Sequence, residues 1–329
     1  MRVTVNEIAE KCHVSRTTVV RALNNQSRVS EATRKIILDT AKEMGYRPNL
    51  LARSLNKGRS MMVGMVAINM ENLVFVETLN AINKEVQRLG YSLNIALNGE
   101  DCEAEKCRIQ ELADRCMEGI LLSAVNKGPE FERFLVSLNI PVVCIGNYVS
   151  DRFSTVMVDE SQAARDSVQL IISKGYQRIV FVCPPLAVQD ERNVYSHIQR
   201  AAGFNAELDL HPDVKRMIIS GENYFEQLSP VLETLEQRTA ILCSGDIYAL
   251  HIMRRFKEMK IRTPRDIGIM GFDNINVLDY IVPRLTTVST NNVKVASVAA
   301  DELINHISNK NAVPKKIVLP YQIMDMETL

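Results

Sequence analysis

Residues 4–25 read TVNEIAEKCHVSRTTVVRALNN, and this stretch decides how the chain begins. Thr4 followed three residues later by Glu7 is a capping-box signature, so a helix opens there with Ile8, Ala9 and Cys12 inward. Ser15 caps a second helix, Arg16 to Asn24, whose inner face is Val19, Ala22 and Leu23. Only Cys12-His13-Val14-Ser15 joins the two. That arrangement predicts a helix-turn-helix, in which the second helix enters the major groove of DNA and offers its N-terminal side chains to base edges. Arg16, Thr17 and Arg21 are the polar residues able to face outward there. Arginine pairs bidentately with guanine, and threonine offers a hydroxyl or a methyl. Ser15, Thr18, Asn24 and Ser30 suit phosphate contacts, which set register without reading sequence. A small helical protein-interaction domain with a solvated charged face has the same pattern.

Outward from this stretch, Ser30 caps a third helix, Glu31 to Met44, with Ile37, Ala41 and Met44 on one stripe and Gly45 as its stop. Tyr46-Arg47-Pro48-Asn49 then leads into LLARSLNKGRS, enough for about two turns and too short to be a stable helix alone. Leu50, Leu51 and Leu55 are costly to leave in water. A helix that forms only on dimerisation and DNA contact, its leucines wedged into the minor groove, accounts for them. So does a flexible linker with incidental leucines. Charge favours a polyanion partner for this head. Residues 1–60 carry 12 Lys and Arg against 5 Asp and Glu, and the rest of the neutral chain carries 27 against 34.

The features VS-x-x-TV-x-R-x-LN, VS-x-x-TR and GY-x-PN-x-x-A-x-x-L within residues 4–55 resemble the N-terminus of the LacI/GalR family of bacterial repressors. The resemblance implies Arg16, Thr17 and Arg21 as specificity positions. It implies Asn49, Ala52 and Leu55 as hinge-helix contacts, with Leu55 the intercalating wedge. Two departures stand out: His13 occupies a turn position usually held by Gly, and Val20 replaces a common Ser. Histidine tolerates a positive φ better than most residues.

From residue 61 the texture changes to short apolar runs alternating with amphipathic helices. VGMVAI (63–68), YSLNIAL (91–97), GILLSA (119–124) and PVVCIG (141–146) read as buried parallel strands. RIVFVC, KRMIIS, AILCSG and IGIMGFD repeat the plan. Gly-Tyr closes a helix at 90–91 and again at 175–176, which points to two like-built halves. The fold class is therefore a small all-α helix-turn-helix head plus an α/β core of two doubly wound subdomains. Ligands of such sheets bind beyond the carboxyl ends of the strands. That places Asn69 to Phe75, Ser123, Asn147, Asp159, Asp246 and Asp273 around a shared cleft.

The body also resembles the effector-binding core of the same family, related to periplasmic sugar-binding proteins. TAILCSGD, TPRDIGIMGFD and PRLTTVSTN carry that resemblance most specifically, and LPYQIMDMETL ends it. It implies Phe75 and Ser123 on one side of the cleft, Arg200 and Asp273 on the other, and Asp246 nearby; Tyr224 joins them as a candidate. Arginine can hold a carboxylate, a phosphate or a pair of hydroxyls, Asp273 can accept from sugar hydroxyls, and Phe75 can stack on a ring. Blander roles fit too: Asp246 as the cap of a helix starting at Ile247, Asp273 as a loop residue, Arg200 as a surface charge. Several family positions differ, with Leu73-Val74 where Pro-Phe is usual, Gly146 and Gly245 for polar residues, and Glu160 for Asn. These changes remove polar ligands of a typical sugar site.

The expected organisation is a head over 1–46, a hinge over 47–60 and a core over 61–329. Its N-subdomain covers about 61–158 plus 289–318, and its C-subdomain about 159–288 plus 319–329. The function expected is a DNA-binding transcriptional regulator, a palindrome-reading homodimer tuned by a carbohydrate-like effector. A stand-alone sugar receptor would need an export signal and no basic head. A cleft enzyme would show GxxxxGK[ST], GxGxxG or GxSxG, and none is present. The charged N-terminus lacks a signal peptide's apolar segment and no apolar run is long enough to span a bilayer, so a cytoplasmic location without membrane contact is expected. Seven cysteines without a CxxC pair read as small buried hydrophobes, and five scattered histidines give no metal spacing or cofactor motif. No heptad pattern follows the core, which argues against a coiled-coil tetramer.

Overall fold

The computed structural model describes residues 3–46, 59–187, 191–233 and 237–329. The chain forms two compact units, residues 1–60 and 61–329. The first begins with α1 (Val5–Lys11), α2 (Arg16–Leu23) and α3 (Glu31–Glu43). The capping box is complete: Thr4 N donates to Glu7 Oε2 at 2.6 Å, and Glu7 N donates to Thr4 Oγ1 at 3.4 Å. Ser15 and Ser30 cap α2 and α3 in the same manner, accepting from Thr18 N and Thr33 N, both at 3.2 Å. His13 turns the chain between α1 and α2 at φ +52°, the left-handed conformation its position demands. Ile8, Val19 and Ile37 are completely buried where the three helices meet, and each contributes roughly 1.5–3 kcal/mol. Cys12, Leu23 and Met44 are only half-buried at the rim of this core. Arg34, which the sequence pattern did not single out, locks the α2–α3 connection by donating to Asn25 Oδ1 at 2.5 Å and to the Gln26 carbonyl at 2.6 Å. Asn49, Ala52 and Leu55, with Leu50 and Leu51, lie outside the described residues.

The second unit is built on two six-stranded sheets. One contains β1 (Met62–Ala67), β2 (Ser92–Leu97), β3 (Ile120–Leu122), β4 (Val142–Ile145), β5 (Ser154–Val158) and β11 (Lys316–Leu319). Its order is β11-β5-β4-β3-β1-β2, all parallel. The other contains β6 (Arg178–Cys183), β7 (Lys215–Ser220), β8 (Thr239–Cys243), β9 (Ile267–Asp273), β10 (Thr286–Ser289) and β12 (Gln322–Met324). Its order is β12-β10-β9-β8-β6-β7, with only β12 antiparallel. Helices α4 (Leu73–Arg88), α5 (Cys102–Asp114), α6 (Gly128–Ser137) and α11 (Asn292–Ser308) belong to the first sheet. Helices α7 (Glu160–Ser173), α8 (Tyr195–Leu208), α9 (Tyr224–Glu233) and α10 (Asp246–Met259) belong to the second. The chain passes between the sheets three times, after Val158, after Ser289 and after Leu319.

The central strands are buried along nearly their whole length, only Met62 and Arg178 at the starts of β1 and β6 being half-exposed, as continuous apolar runs require when helices cover both faces. YSLNIAL and KRMIIS are not: β2 and β7 close the sheets with a single neighbour each, leaving Ile95, Leu97, Met217 and Ile218 exposed. Their apolar content led the sequence reading to bury them. The cysteines also divide. Cys144, Cys183 and Cys243 are buried strand residues, but Cys107 and Cys116 are exposed and Cys12 and Cys102 half-buried, so most are not core hydrophobes. All seven are free thiols. Gly90 and Gly175 end α4 and α7 at φ +83°, and the following Tyr91 and Tyr176 are buried. Among the described residues no helix is long and apolar enough to cross a membrane.

Helices α7 and α8 pack side by side at Gly203. A Cβ there would lie 2.8 Å from the carbonyl carbon of Ser161, inside backbone that has no freedom to retreat. Gly203→Ala is expected to lower stability by about 1–3 kcal/mol despite alanine's better helix propensity. Urea denaturation monitored by far-ultraviolet circular dichroism measures it, and an unchanged midpoint would mean that the two helices slide apart freely.

Candidate functional site: the recognition helix and the inter-sheet cleft

On the head, burial of Val19 and Ala22 fixes which side of α2 faces out. Arg16 and Thr17 are exposed on that side, and Val20 and Arg21 follow one turn later, half-buried. The residues expected at phosphates are cap residues or neighbours of caps. Ser15 Oγ pairs with Thr18 Oγ1 at 2.9 Å, Ser30 Oγ pairs with Thr33 Oγ1 at 2.8 Å, and Asn24 Nδ2 donates to the Val20 carbonyl at 2.9 Å. Ser15 and Ser30 thus mark two exposed helix N-termini, where unsatisfied N–H groups favour anions.

Between the sheets lies a cavity of about 690 Å³, at the carboxyl ends of their strands. Phe75, Ser123 and Asn147 reach it from the first sheet, and Arg200 and Asp273 from the second. Arg200, on α8, is buried with its Nε donating to Glu160 Oε2 at 2.7 Å and its Nη2 3.4 Å from Asp273 Oδ1. Its remaining terminal nitrogen donates to the Ser244 carbonyl. The guanidinium lies 3.7 Å over the Phe272 ring. Asp273 holds φ +109°, and Asn274 follows at +56°. This strained turn brings the carboxylate back over the end of β9. Burial pushes the Asp273 carboxyl well above its ordinary range; Arg200 opposes the rise, and Asp246 and Glu160 add to it. His197 lines the same wall and is held neutral, burial pushing its pKa down to about 3 with Arg200 adding repulsion.

Three candidates lie elsewhere. Asp246 is buried behind the wall, not in it, and it does not cap its helix: Gly245 is the cap position, with no side-chain bond. Its carboxylate accepts from Thr287 Oγ1 at 2.6 Å and Ile275 N at 3.0 Å. Burial raises its pKa to about 7 against the lowering effect of those bonds. Asp159 is exposed and caps α7, accepting from Gln162 N at 2.9 Å. Tyr224 stands off the wall, its hydroxyl 3.1 Å from His251 Nδ1 and its ring edge-on to Tyr248 at 5.1 Å, and Tyr248 lines the cavity in its place.

The two lobes touch on both flanks of the cavity. Asn193 N donates to the Val125 carbonyl at 2.7 Å, Asn193 Nδ2 to the Tyr148 carbonyl at 2.9 Å, and Asn147 Nδ2 to the Asn193 carbonyl at 3.0 Å. Arg192 meets Glu100 at 2.9 Å, and on the other flank Asn276 N donates to Glu77 Oε1 at 2.7 Å. The sequence reading missed Asn193, Glu160, His197 and Ser244. Glu160 alone had a signal, as a carboxylate where the family has an amide. Among the described residues no group of His, Cys, Asp or Glu could hold a metal ion.

Comparison with known proteins finds a match in the head and another in the body. Residues 4–49 match the model for bacterial regulatory proteins of the lacI family, and residues 168–328 match a periplasmic binding protein-like domain. The catabolite control protein A of Priestia megaterium is 28% identical over 331 residues, covering 98% of each chain. The ribose operon repressor of Halalkalibacterium halodurans is 27% identical over 330 residues, covering 99% of this chain and 96% of its own. The lac repressor bound to ONPG in its repressed state superposes with a TM-score of 0.86 at 23% identity, covering 100% of both chains, and so shares the fold.

The raised Asp246 pKa has a consequence for stability. Below pH 3.8 the carboxyl is neutral in both folded and unfolded chains; between there and about 7 only the folded chain keeps the proton. Stability therefore declines as pH rises through that window, by up to about 1.4 kcal/mol per pH unit, and levels off above it. Asp246→Asn keeps one acceptor for Ile275 N and can donate to Thr287. It is expected to make the decline measurably shallower in urea midpoints taken at pH 5, 6, 7 and 8. An unaltered slope would place the proton on another group.

Proposed function

The chain belongs to the LacI family of bacterial regulatory proteins, and from that premise we propose that it is a cytoplasmic homodimeric repressor that binds a palindromic operator under the control of a small molecule in the inter-sheet cleft. The observation that carries this reading is α2: its inner face is sealed by Val19 and Ala22, and its N-terminal residues Arg16 and Thr17 are presented to solvent on a strongly basic unit. Arg16, Thr17 and Arg21 read base edges in this proposal. Ser15, Thr18, Asn24 and Ser30 set the register on the phosphates. Asn49, Ala52 and Leu55 contact the minor groove at the operator centre, a reading that rests on the family resemblance.

Control follows from the cleft. A molecule held by both lobes binds one relative orientation of them better than another, and so shifts the population between orientations. Because binding free energies are reciprocal, operator DNA and the small molecule change each other's affinity by the same factor. The same linkage serves an inducer or a co-repressor. A carbohydrate is the ligand class the resemblance implies, and a relative named as a ribose operon repressor supports it.

Selection of bound duplexes from a random pool at moderate salt tests the proposal. The expected product is a palindrome of about 14–20 base pairs with a flexible central step. Arg16→Ala should cost about 1–3 kcal/mol, roughly 5- to 150-fold, and relax the preference at one position of each half-site. Ser30→Ala should weaken all sequences alike. A pool with no enriched sequence, with and without a metabolite extract, would overturn the reading.

A further inference from the structure

The second lobe's wall of the cleft sets three carboxylates against one guanidinium. Glu160 and Asp273 flank Arg200, and Asp246 lies behind Asp273, close enough to add to the rise in its affinity for a proton. The guanidinium is already committed: Nε to Glu160, one terminal nitrogen to the Ser244 carbonyl, the other to Asp273, and one face to Phe272. All three of its nitrogens already hold an acceptor, two of them carboxylates, so the Nε-side fork that a phosphate or carboxylate would take is filled. Elsewhere in the cavity Arg192 is paired with Glu100, His197 is neutral, and His251 is bonded to Tyr224. Glu71 adds another carboxylate to the lining.

A second observation points independently to a ligand. Ser244 is 1% exposed and its hydroxyl has no hydrogen-bond partner, and Nδ1 of the half-buried His197 ring has none either. Both residues line the cavity. Buried polar atoms in native proteins find partners, so these two await a group that the protein itself does not supply. Beside them, Glu160 Oε1 and Asp273 Oδ2 are the carboxylate oxygens that Arg200 leaves unused. On this wall a ligand's donors thus meet a hydroxyl, an imidazole nitrogen and two carboxylate oxygens, while Ser123, Asn69 and Thr290 line the rest of the cavity.

We propose that this wall selects a hydrogen-bond-donating ligand without negative charge, so that the cleft takes neutral and amine-bearing sugars, prefers the amine-bearing form, and rejects phosphorylated and carboxylated ones. The inference rests on the reading of the cleft as an effector site. A bound ammonium supplies positive charge beside Glu160 and Asp273, and a proton that burial keeps on these carboxyls then leaves to solvent. A bound anion would require the cluster to take up a proton instead. Glu160 sets this selection, because it both adds a negative charge and occupies Arg200 Nε.

The test uses the full chain at about pH 6, where an amino sugar is almost wholly ammonium before it binds, with matched probes: glucose, glucosamine and glucose 6-phosphate; galactose, galactosamine and galacturonate; ribose and ribose 5-phosphate. In at least one set the amine should bind about tenfold more tightly than its neutral parent, with the anion silent. Calorimetry in two buffers of different ionisation enthalpy should show proton release for the amine and less for the neutral sugar. Glu160→Gln should narrow the amine-to-neutral ratio by about tenfold and admit the anionic probe, a change that mere loss of packing would not produce. An anion binding more tightly than its parent, proton uptake on amine binding, or silence of the whole panel would each overturn the inference. A DNA selection on the same preparation separates the two levels. An enriched palindrome alongside a failed panel overturns only the ligand assignment, whereas no enrichment overturns the regulator reading.

Discussion

One buried carboxylate holds the second lobe's wall in shape. Asp246 starts α10, accepts from Thr287 on β10, and accepts from the backbone just beyond β9 at Ile275. Gly271 on β9 passes so close that any Cβ would collide with its Oδ1. The three segments that most specifically mark the body, TAILCSGD, TPRDIGIMGFD and PRLTTVSTN, therefore meet at a single side chain. Removing water from a carboxylate is expensive, and hydrogen bonds offset that cost only when their geometry is good. The turn that carries Asp273 into the cleft follows directly from the strand that Asp246 anchors, so the ligand wall inherits its position from a group no ligand touches.

This arrangement explains what could be read from sequence and what could not. The head was legible almost to the residue, because caps and helical periodicity are local: Thr4, Ser15 and Ser30 act within three residues of themselves. The apolar strands were legible for the same reason. The short strands STVMV, TTVS, KIVL and QIM carry too little pattern to stand out, yet all four flank the points where the chain changes lobes. Asp246 failed differently. A Gly-Asp pair before a helix reads as a cap or as a ligand, and the partner that decides against both lies 41 residues away. Asn193 had no signal at all, since its role consists of contacts to the opposite lobe.

The departures from the family pattern also read differently against the structure. Losing polar residues at 146 and 245 suggests a weakened site, yet the wall is more heavily charged, because Glu160 brings a carboxylate where an amide is usual. The position alone does not reveal that the new charge is spent on Arg200. Only the geometry shows that a residue expected to grip an anion is itself gripped on every nitrogen.

The energetics of the two kinds of contact suit their places. The Arg200 cluster is a buried charged network, and breaking one of its pairs costs about 3–5 kcal/mol. It therefore acts as a rigid fitting within one lobe. The contacts between lobes are of another kind. Asn147 and Asn193 make neutral bonds across the cleft, Asn276 N donates to the Glu77 carboxylate, and Arg192–Glu100 is a partly exposed pair. Net contributions there are about 0.5–1.5 kcal/mol per hydrogen bond and less for an exposed ion pair. A handful of such bonds sums to the same few kcal/mol as a typical coupling between two ligand sites. With three chain crossings restricting how the lobes can move, a small molecule needs only to outweigh these weak bonds to favour another orientation, and it can do so without disturbing the Arg200 cluster.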